Sequence, residues 1–222
     1  MIWTPNQIIG CRFENSPNNA NGDTFTEVGA VSYEDGPVGR QLDISAANAY
    51  VEMGNNYVGP KYHGAEAITI SGWYTPTANI ARGDCFYTVM FNRAAINISM
   101  RNLSLRVSAR SISSEGGGAL EYAYDFQLHE TAHVSIIISF SGKYIRSYVN
   151  GQFYDEATGL GFSSNTYQHT NPNDINRIDT IGADMGGGNI NREKIDELRV
   201  WKKEISPSDL KRVYHGLHPL NG

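Results

Sequence analysis

The sequence predicts an all-β fold, a sandwich of two antiparallel sheets with one short helix near the C-terminus. Three observations carry this prediction. Short runs of alternating polar and apolar residues follow one another along the chain, Gly, Asn and Ser dominate the breaks between them, and Asn-Gly at 150–151 joins two such runs. A period of two is the pattern of a β-strand. Many short strands with this punctuation are typical of a sandwich.

Residues 144–157, YIRSYVNGQFYDEA, are the clearest single element because they predict a hairpin. Side chains alternate between two faces over 144–149, and Asn-Gly is the strongest signal for a type I′ turn. The run at 133–140 precedes them, so we expect a meander of three antiparallel strands. Residues 136–138 are all Ile, which indicates a strand that is covered on both faces.

Further strands are predicted wherever comparable runs lie between turn residues. They are 8–14, 40–45, 49–54, 67–74, 86–92, 96–100, 104–110, 122–128, 178–183 and 194–201. We interpret YEDG at 33–36 as a turn, and the glycine-rich stretches at 116–118 and 186–188 as loops. Neither stretch opens a helix after a strand, so neither is a phosphate-binding loop.

One helix is predicted near the C-terminus. Ser206 is the expected N-cap, Pro207 the first helical residue, and Asp209 lies where a capping-box carboxylate belongs. Apolar residues at i, i+3 and i+4 within 210–214 form a stripe for packing. His215-Gly216 then predicts the end of the helix.

Size and charge restrict the class of protein. The chain has 222 residues, which suits a single domain spanning 1–222, and its formal net charge is −5. An acidic chain is a poor partner for nucleic acid or an anionic membrane. The first ten residues have neither the basic start nor the apolar run of a signal peptide, and no run approaches the roughly 20 apolar residues of a membrane span.

Cys11 and Cys85 are the only cysteines. A disulfide between them would close a long loop and contribute about 4–5 kcal/mol. In a chain without a secretion signal, two buried thiols are the alternative.

Several of these segments together resemble a laminin-G-like (LamG-like) domain, a jelly roll of the concanavalin A-like lectin and glucanase kind. The segments that carry the resemblance are AITISGWY (67–74), HVSIIISFSGKYIRSYVNGQ (133–152), IDTIGA (178–183) and KIDELRVWKKEISPSDLKRVY (194–214), together with opening strands at 11–23 and 40–54. The start WTPNQI (3–8) resembles modules of phage and other microbial surface proteins. The resemblance implies a two-sheet jelly roll that covers nearly the whole chain.

Catalysis is not predicted. Glucanases of this fold superfamily carry three acids in a Glu-x-Asp-x-x-Glu run on one strand, and spacing by even steps brings an acid and a nucleophile to the same cleft face. The nearest acids here, Glu193, Asp196 and Glu197, are three and one apart, so Glu193 and Asp196 should face opposite sides. The six histidines form no zinc-binding motif, and His133 is interpreted as structural. We therefore expect a protein that is not an enzyme.

Calcium is the metal that the resemblance implies, at the place where the first and last strands of related jelly rolls meet. Glu14 in the opening strand and Asp196 in the closing strand match the acids of those segments, and Asp23 lies in a nearby loop. Ca²⁺ prefers carboxylate, amide and carbonyl oxygens. The alternative is that Asp196 pairs with Arg199 or caps a turn.

The 13 tyrosines suggest a ligand site. Tyr57, Tyr62 and Tyr167, with His169, fall in polar stretches that we interpret as loops, where tyrosine rings can stack on sugars. The alternative is that these aromatic residues belong to sheet faces or to subunit interfaces.

Two functions follow as hypotheses. The first is a structural or adhesion module, a phage virion decoration or fibre protein that self-associates or docks on a larger assembly and binds cell-surface glycans. The alternative is a free, calcium-assisted lectin. We accordingly expect the chain on a virion or at an extracellular surface. A glycoside hydrolase is disfavoured by the spacing of the acids.

Overall fold

The computed structural model of the chain describes residues 6–18, 20–46, 48–55, 57, 59–79, 86–91, 95–112, 117–168, 178–183, 192–217 and 219–220. Neither helix within these ranges has the length and apolar character that crossing a membrane requires.

The described residues form fifteen strands and two short helices. The strands are β1 (Gln7–Cys11), β2 (Thr26–Val28), β3 (Ser32–Gly36), β4 (Gly39–Asp43), β5 (Tyr50–Asn55), β6 (Ala67–Pro76), β7 (Phe86–Phe91), β8 (Ile96–Arg101), β9 (Ser104–Arg110), β10 (Gly117–Asp125), β11 (Ala132–Ser139), β12 (Tyr144–Val149), β13 (Gln152–Thr158), β14 (Ile178–Ile181) and β15 (Glu193–Trp201), and the helices are α1 (Gly59–Tyr62) and α2 (Pro207–Tyr214).

The strands form two antiparallel sheets. Sheet A has the order β13-β12-β11-β6-β15-β4-β3, with β1 also paired to β15, and sheet B has the order β10-β9-β8-β7-β14-β5-β2. The closing strand β15 therefore lies inside sheet A, between strands from the first third of the chain. The predicted fold class, a concanavalin A-like jelly-roll sandwich with one C-terminal helix, is confirmed.

The main core lies between the two sheets. Alternate residues of β9, namely Leu105, Val107 and Ala109, point into it, while their neighbours face outward. Strand β11 is buried along its whole length. Its outer face packs in a second, smaller cluster that α2 covers with Leu210 and Val213. The prediction of a strand covered on both faces is thus confirmed.

The meander and the C-terminal helix also follow the prediction. Strands β11, β12 and β13 are consecutive neighbours, and both Asn150 and Gly151 have positive φ (50° and 76°), as a type I′ turn requires. The hydroxyl of Ser206 accepts a hydrogen bond from the Asp209 N–H at 3.2 Å, so Ser206 is the N-cap of α2.

Two local predictions are wrong. Residues 33–36 belong to β3 and not to a turn, because the turn lies just beyond them and is made by Pro37 and Val38. Gly117 and Gly118 start β10 and are not a loop. Close packing explains both glycines, since a Cβ on Gly117 would lie 2.2 Å from the carbonyl oxygen of Ala109, and one on Gly118 would meet Leu160. The stretch 186–188 and Cys85 lie outside the described residues, and Cys11 is a buried free thiol.

Candidate functional site

Two of the predicted metal ligands meet at the turn between β3 and β4. A Cβ on Gly39 would lie 2.5 Å from Oε1 of Glu14, and one on Gly36 would lie 3.0 Å from Oδ2 of Asp196. The Val38 N–H donates a hydrogen bond to the same Asp196 oxygen at 2.9 Å. The glycines thus leave room for two carboxylates that come from the opposite ends of the chain. The Asp196 carboxylate therefore caps this turn, which is one of the alternatives to a metal site that the sequence left open.

The Asp196 carboxyl is an unusual acid. It is fully buried, and its Oδ1 has no hydrogen-bond partner among the described residues. Burial, followed by repulsion from Glu197 and Glu14, outweighs the hydrogen bond from Val38 and raises its pKa to about 7. A buried oxygen without a partner beside a second carboxylate is an arrangement that a cation or a proton would stabilise.

A break in the alternation of β15 produces this arrangement. Ile195 faces the main core, and after a shift in the pairing with β6 so do Leu198 and Val200. Glu197 lies within the shift, with φ at 50°. Its carboxylate accepts from the Arg199 guanidinium and lies 3.1 Å from Nε of Arg12. Arg199 therefore pairs with Glu197 and not with Asp196, and the bulge separates the two neighbouring acids into different environments.

Asp23 belongs to a different cluster. Its Oδ2 accepts hydrogen bonds from the Tyr57 hydroxyl, from Lys61 at 3.0 Å and from Asn21 at 2.8 Å. Among the described residues no three His, Cys, Asp or Glu side chains are grouped as metal ligands. Of the three acids predicted as calcium ligands, Glu14 and Asp196 therefore lie at one turn, and Asp23 lies elsewhere.

Two of the three tyrosines that were predicted to stack on a sugar are inaccessible. Tyr62 and Tyr167 are fully buried, and their rings meet edge to face at 6.3 Å. The prediction that these two stack on a ligand is wrong, because the core occupies their faces. Tyr57 is half-buried, with Lys61 Nζ lying 3.3 Å from its ring centroid. His169 lies outside the described residues.

His133 is a structural residue, as the sequence indicates. Its Nε2 lies 2.9 Å from the Ser71 hydroxyl, which in turn accepts from Ser135 at 3.0 Å. Burial, together with the nearby Arg199 charge, lowers the pKa of His133 to about 3. The rings of Trp73 and Tyr214 pack against it. This pair of Ser and His is thus a buried contact beneath α2 and has no room for a substrate.

A pocket that the sequence did not indicate lies on the outer face of sheet B. It begins at the turn between β8 and β9, where Asn102 and Leu103 both have positive φ (50° and 64°). Leu103 tolerates this conformation while its side chain packs against the main core. The tight turn places Arg101 directly opposite Ser104 on the outward face. Arg106 follows on the same face of β9, since side chains alternate along a strand.

A bulge in β10 completes the pocket. The pairing of β10 with β9 shifts between Leu120 and Tyr124, so Glu121 and Tyr122 are both exposed although they are neighbours in sequence. Tyr122 is the most exposed aromatic side chain among the described residues, at 61%. The pocket has a volume of about 250 Å³ and is lined by Arg101, Asn102, Ser104, Arg106, Glu121 and Tyr122.

A second depression continues this surface along β9. It has a volume of about 510 Å³ and is lined by Asn97, Arg106, Ser108, Ala109, Arg110 and Gly117–Ala119. Arg106 belongs to both, so the two depressions form a polar groove that runs the length of β9, roughly 20 Å at the usual rise per residue. Only periodicity pointed to this face, because no motif in the sequence marks it.

Comparison with known proteins identifies the family. The sequence-family model of the concanavalin A-like lectin/glucanases superfamily matches residues 45–211, which is most of the chain. The chain therefore belongs to this family, and the predicted resemblance is confirmed. No curated protein sequence matches the chain.

Solved structures with the same fold include receptor-binding domains of botulinum neurotoxins. One is that of the C/D mosaic serotype (TM-score 0.69, 16% identity), with 95% of this chain and 51% of that chain covered. Another is the binding domain of neurotoxin DC in complex with rat synaptotagmin II (TM-score 0.67, 16% identity, 96% and 52% covered). A third comes from a study of neurotoxin type C, whose cell entry depends on two ganglioside molecules (TM-score 0.66, 14% identity, 96% and 51% covered). The chain spans about half the length of these domains, and the likeness shows the fold.

The raised pKa of Asp196 gives a testable pH dependence. The folded carboxyl keeps its proton up to about pH 7, whereas the unfolded chain releases it near 3.8. The stability that this proton contributes is complete below pH 3.8 and is lost as the pH rises through 7. We expect Asp196→Asn, which cannot titrate, to become more stable relative to the unmodified protein between pH 5 and pH 8. Urea denaturation in EDTA measures this, and an offset that is the same at both pH values would contradict it.

Proposed function

We propose that this chain is a non-catalytic binding module that recognises glycans with the outer face of sheet B. The observation that carries the proposal is the pocket beside Tyr122. An exposed aromatic ring lies there next to Asn102, Ser104 and two arginines. Sugars are bound by such combinations, in which a ring face covers the apolar side of a pyranose and polar groups bond its hydroxyls. The toxin domains named above are binding domains, which supports this class of function.

The acids of β15 support a function without catalysis. Sugar hydrolysis needs two carboxyl groups that face each other across a cleft. Glu193, Asp196 and Glu197 are all buried, and Glu197 is held by Arg199. In the pocket itself, the carboxylate of Glu121 lies 2.8 Å from Nε of Arg106 and is ion-paired. Neither place presents an exposed pair of acids to a substrate.

Replacing Tyr122 tests the proposal directly. We expect Tyr122→Ala to lose most of the signal on a glycan array, because the stacking surface is removed while the core is untouched. Leu128→Ala is the control, since Leu128 is an exposed apolar side chain outside the pocket. Equal glycan binding by the two variants, or no binding by the unmodified protein, would overturn the proposed function.

We also propose that Glu14 and Asp196 hold a calcium ion together with carbonyl oxygens of the turn at 36–39. The residues fit the ion, because the buried Oδ1 of Asp196 lacks a partner and a second carboxylate lies against the same turn. When bound, the ion would neutralise both carboxylates. It would also tie the turn to β15. Its role would therefore be structural.

Calcium is expected to raise the melting temperature of the unmodified protein, since a ligand that binds only the folded state stabilises it. Glu14→Gln and Asp196→Asn should abolish the rise, whereas Asp23→Asn should keep it. No rise for the unmodified protein would contradict the site. If Asp23→Asn also loses the rise in melting temperature, all three acids contribute to the ion's site. A glycan signal that disappears in EDTA would identify a calcium-assisted lectin.

A second proposed function is a structural one, as a phage virion decoration or fibre protein, with the chain on a virion or at another extracellular surface. The observation that favours it is strand β13, which lies at the edge of sheet A and exposes Phe153 (59%) and Tyr154 (44%). An edge strand with exposed aromatic side chains is suited to pairing with another chain.

The structural proposal predicts self-association through β13. The mass of the purified chain in solution should exceed that of one chain and should fall to one chain in Phe153→Glu/Tyr154→Glu. A monomer at all concentrations would contradict self-association. An oligomer that survives the double substitution would place the contact elsewhere.

A further inference from the structure

Arg101 is a cation without a partner in the pocket. Its Nε is buried and makes no hydrogen bond, and none of the acids described by the structure forms an ion pair with it. Arginine stays charged at any pH that a folded protein tolerates, and its fork presents several N–H donors. The pocket lining carries two arginines, Arg101 and Arg106, and one carboxylate, Glu121, so one positive charge is left unbalanced.

The neighbouring acids are already engaged. Glu121, the carboxylate that lines the pocket, accepts from Arg106 at 2.8 Å. Asp125, at the end of β10, accepts a hydrogen bond from the Ser104 hydroxyl. Both interactions hold these acids toward β9, and neither acid pairs with Arg101. An anion from outside the chain is the group that the pocket lacks.

We infer that the glycan of the proposed site is acidic and that Arg101 binds the carboxylate of a sugar acid, an inference that rests on the proposed function. A planar carboxylate matches the guanidinium fork with two parallel hydrogen bonds. Tyr122 flanks the same pocket, so the ring of the sugar would lie against the tyrosine while its carboxylate reaches Arg101. Asn102 and Ser104 provide polar groups for the remaining hydroxyls. Arg101 is thus the residue that determines specificity for charge.

The test uses the full chain and six kinds of probe: N-acetylneuraminic acid, glucuronic acid, their methyl esters, sulfated glycans, an acidic peptide and a panel of neutral glycans. We expect both acids to bind the unmodified protein, with affinity at least about tenfold above that of the methyl esters. Arg101→Gln should reduce affinity for the acids to that for the esters. Arg101→Lys keeps the charge without the fork, so it should recover only part of the affinity. Arg212→Gln is the control, because Arg212 is an arginine on α2, outside the pocket.

The outcomes separate the inference from the function on which it rests. Equal affinity for the acids and their esters, with neutral glycans bound, overturns the inference and leaves the glycan-binding function intact. Binding of sulfated glycans but not of the sugar acids also overturns it. No binding of any glycan, or binding of an acidic peptide instead, overturns both. The ester comparison uses unmodified protein, so it decides even where a variant fails to fold.

Discussion

The position of β15 inside sheet A is the constraint on which the rest of the structure depends. This closing strand pairs with β6 along most of its length. It also pairs with β4 near its start and with β1 near its end. Sheet A cannot be completed until residues 193–201 have been inserted between strands that come from the first 76 residues of the chain. Such non-local pairing is slow to form and costs loop-closure entropy. The same insertion brings Asp196 to the turn beside Glu14.

Much of this fold could be predicted because its signals are local. The alternation over 144–149 and the Asn150-Gly151 turn define the meander, and Ser206 and Pro207 define the start of α2. The errors came from tertiary context. Residues 33–36 look like a turn by composition, but pairing with β4 makes them a strand. Gly117 and Gly118 look like a loop, but they are strand residues where Ala109 and Leu160 leave no room for a Cβ.

The candidate sites were less predictable for a related reason. The resemblance was sufficient to place Glu14 and Asp196 together, because it fixes which strands are neighbours. It was not sufficient to place Asp23 or the tyrosines. Composition shows that Tyr62 and Tyr167 stand in polar stretches, yet their rings fill the core. The pocket depends on two departures from regular geometry, the positive φ of Leu103 and the bulge in β10. Neither departure has a sequence signature. Regular alternation along β10 would predict that one of the two neighbours, Glu121 or Tyr122, faces the core.

The two sites differ in how the chain builds them. The pair of Glu14 and Asp196 joins opposite ends of the chain, so it depends on the complete fold. The pocket is built by β8, β9 and β10, three consecutive strands of which each pairs with the next. Side chains on such a hairpin face can change without disturbing β15 or the core. A shared fold therefore does not determine a shared ligand. The likeness to the toxin domains explains how the two sheets are stacked, whereas Arg101 and Tyr122, which belong to this chain's own hairpins, carry the argument for what it binds.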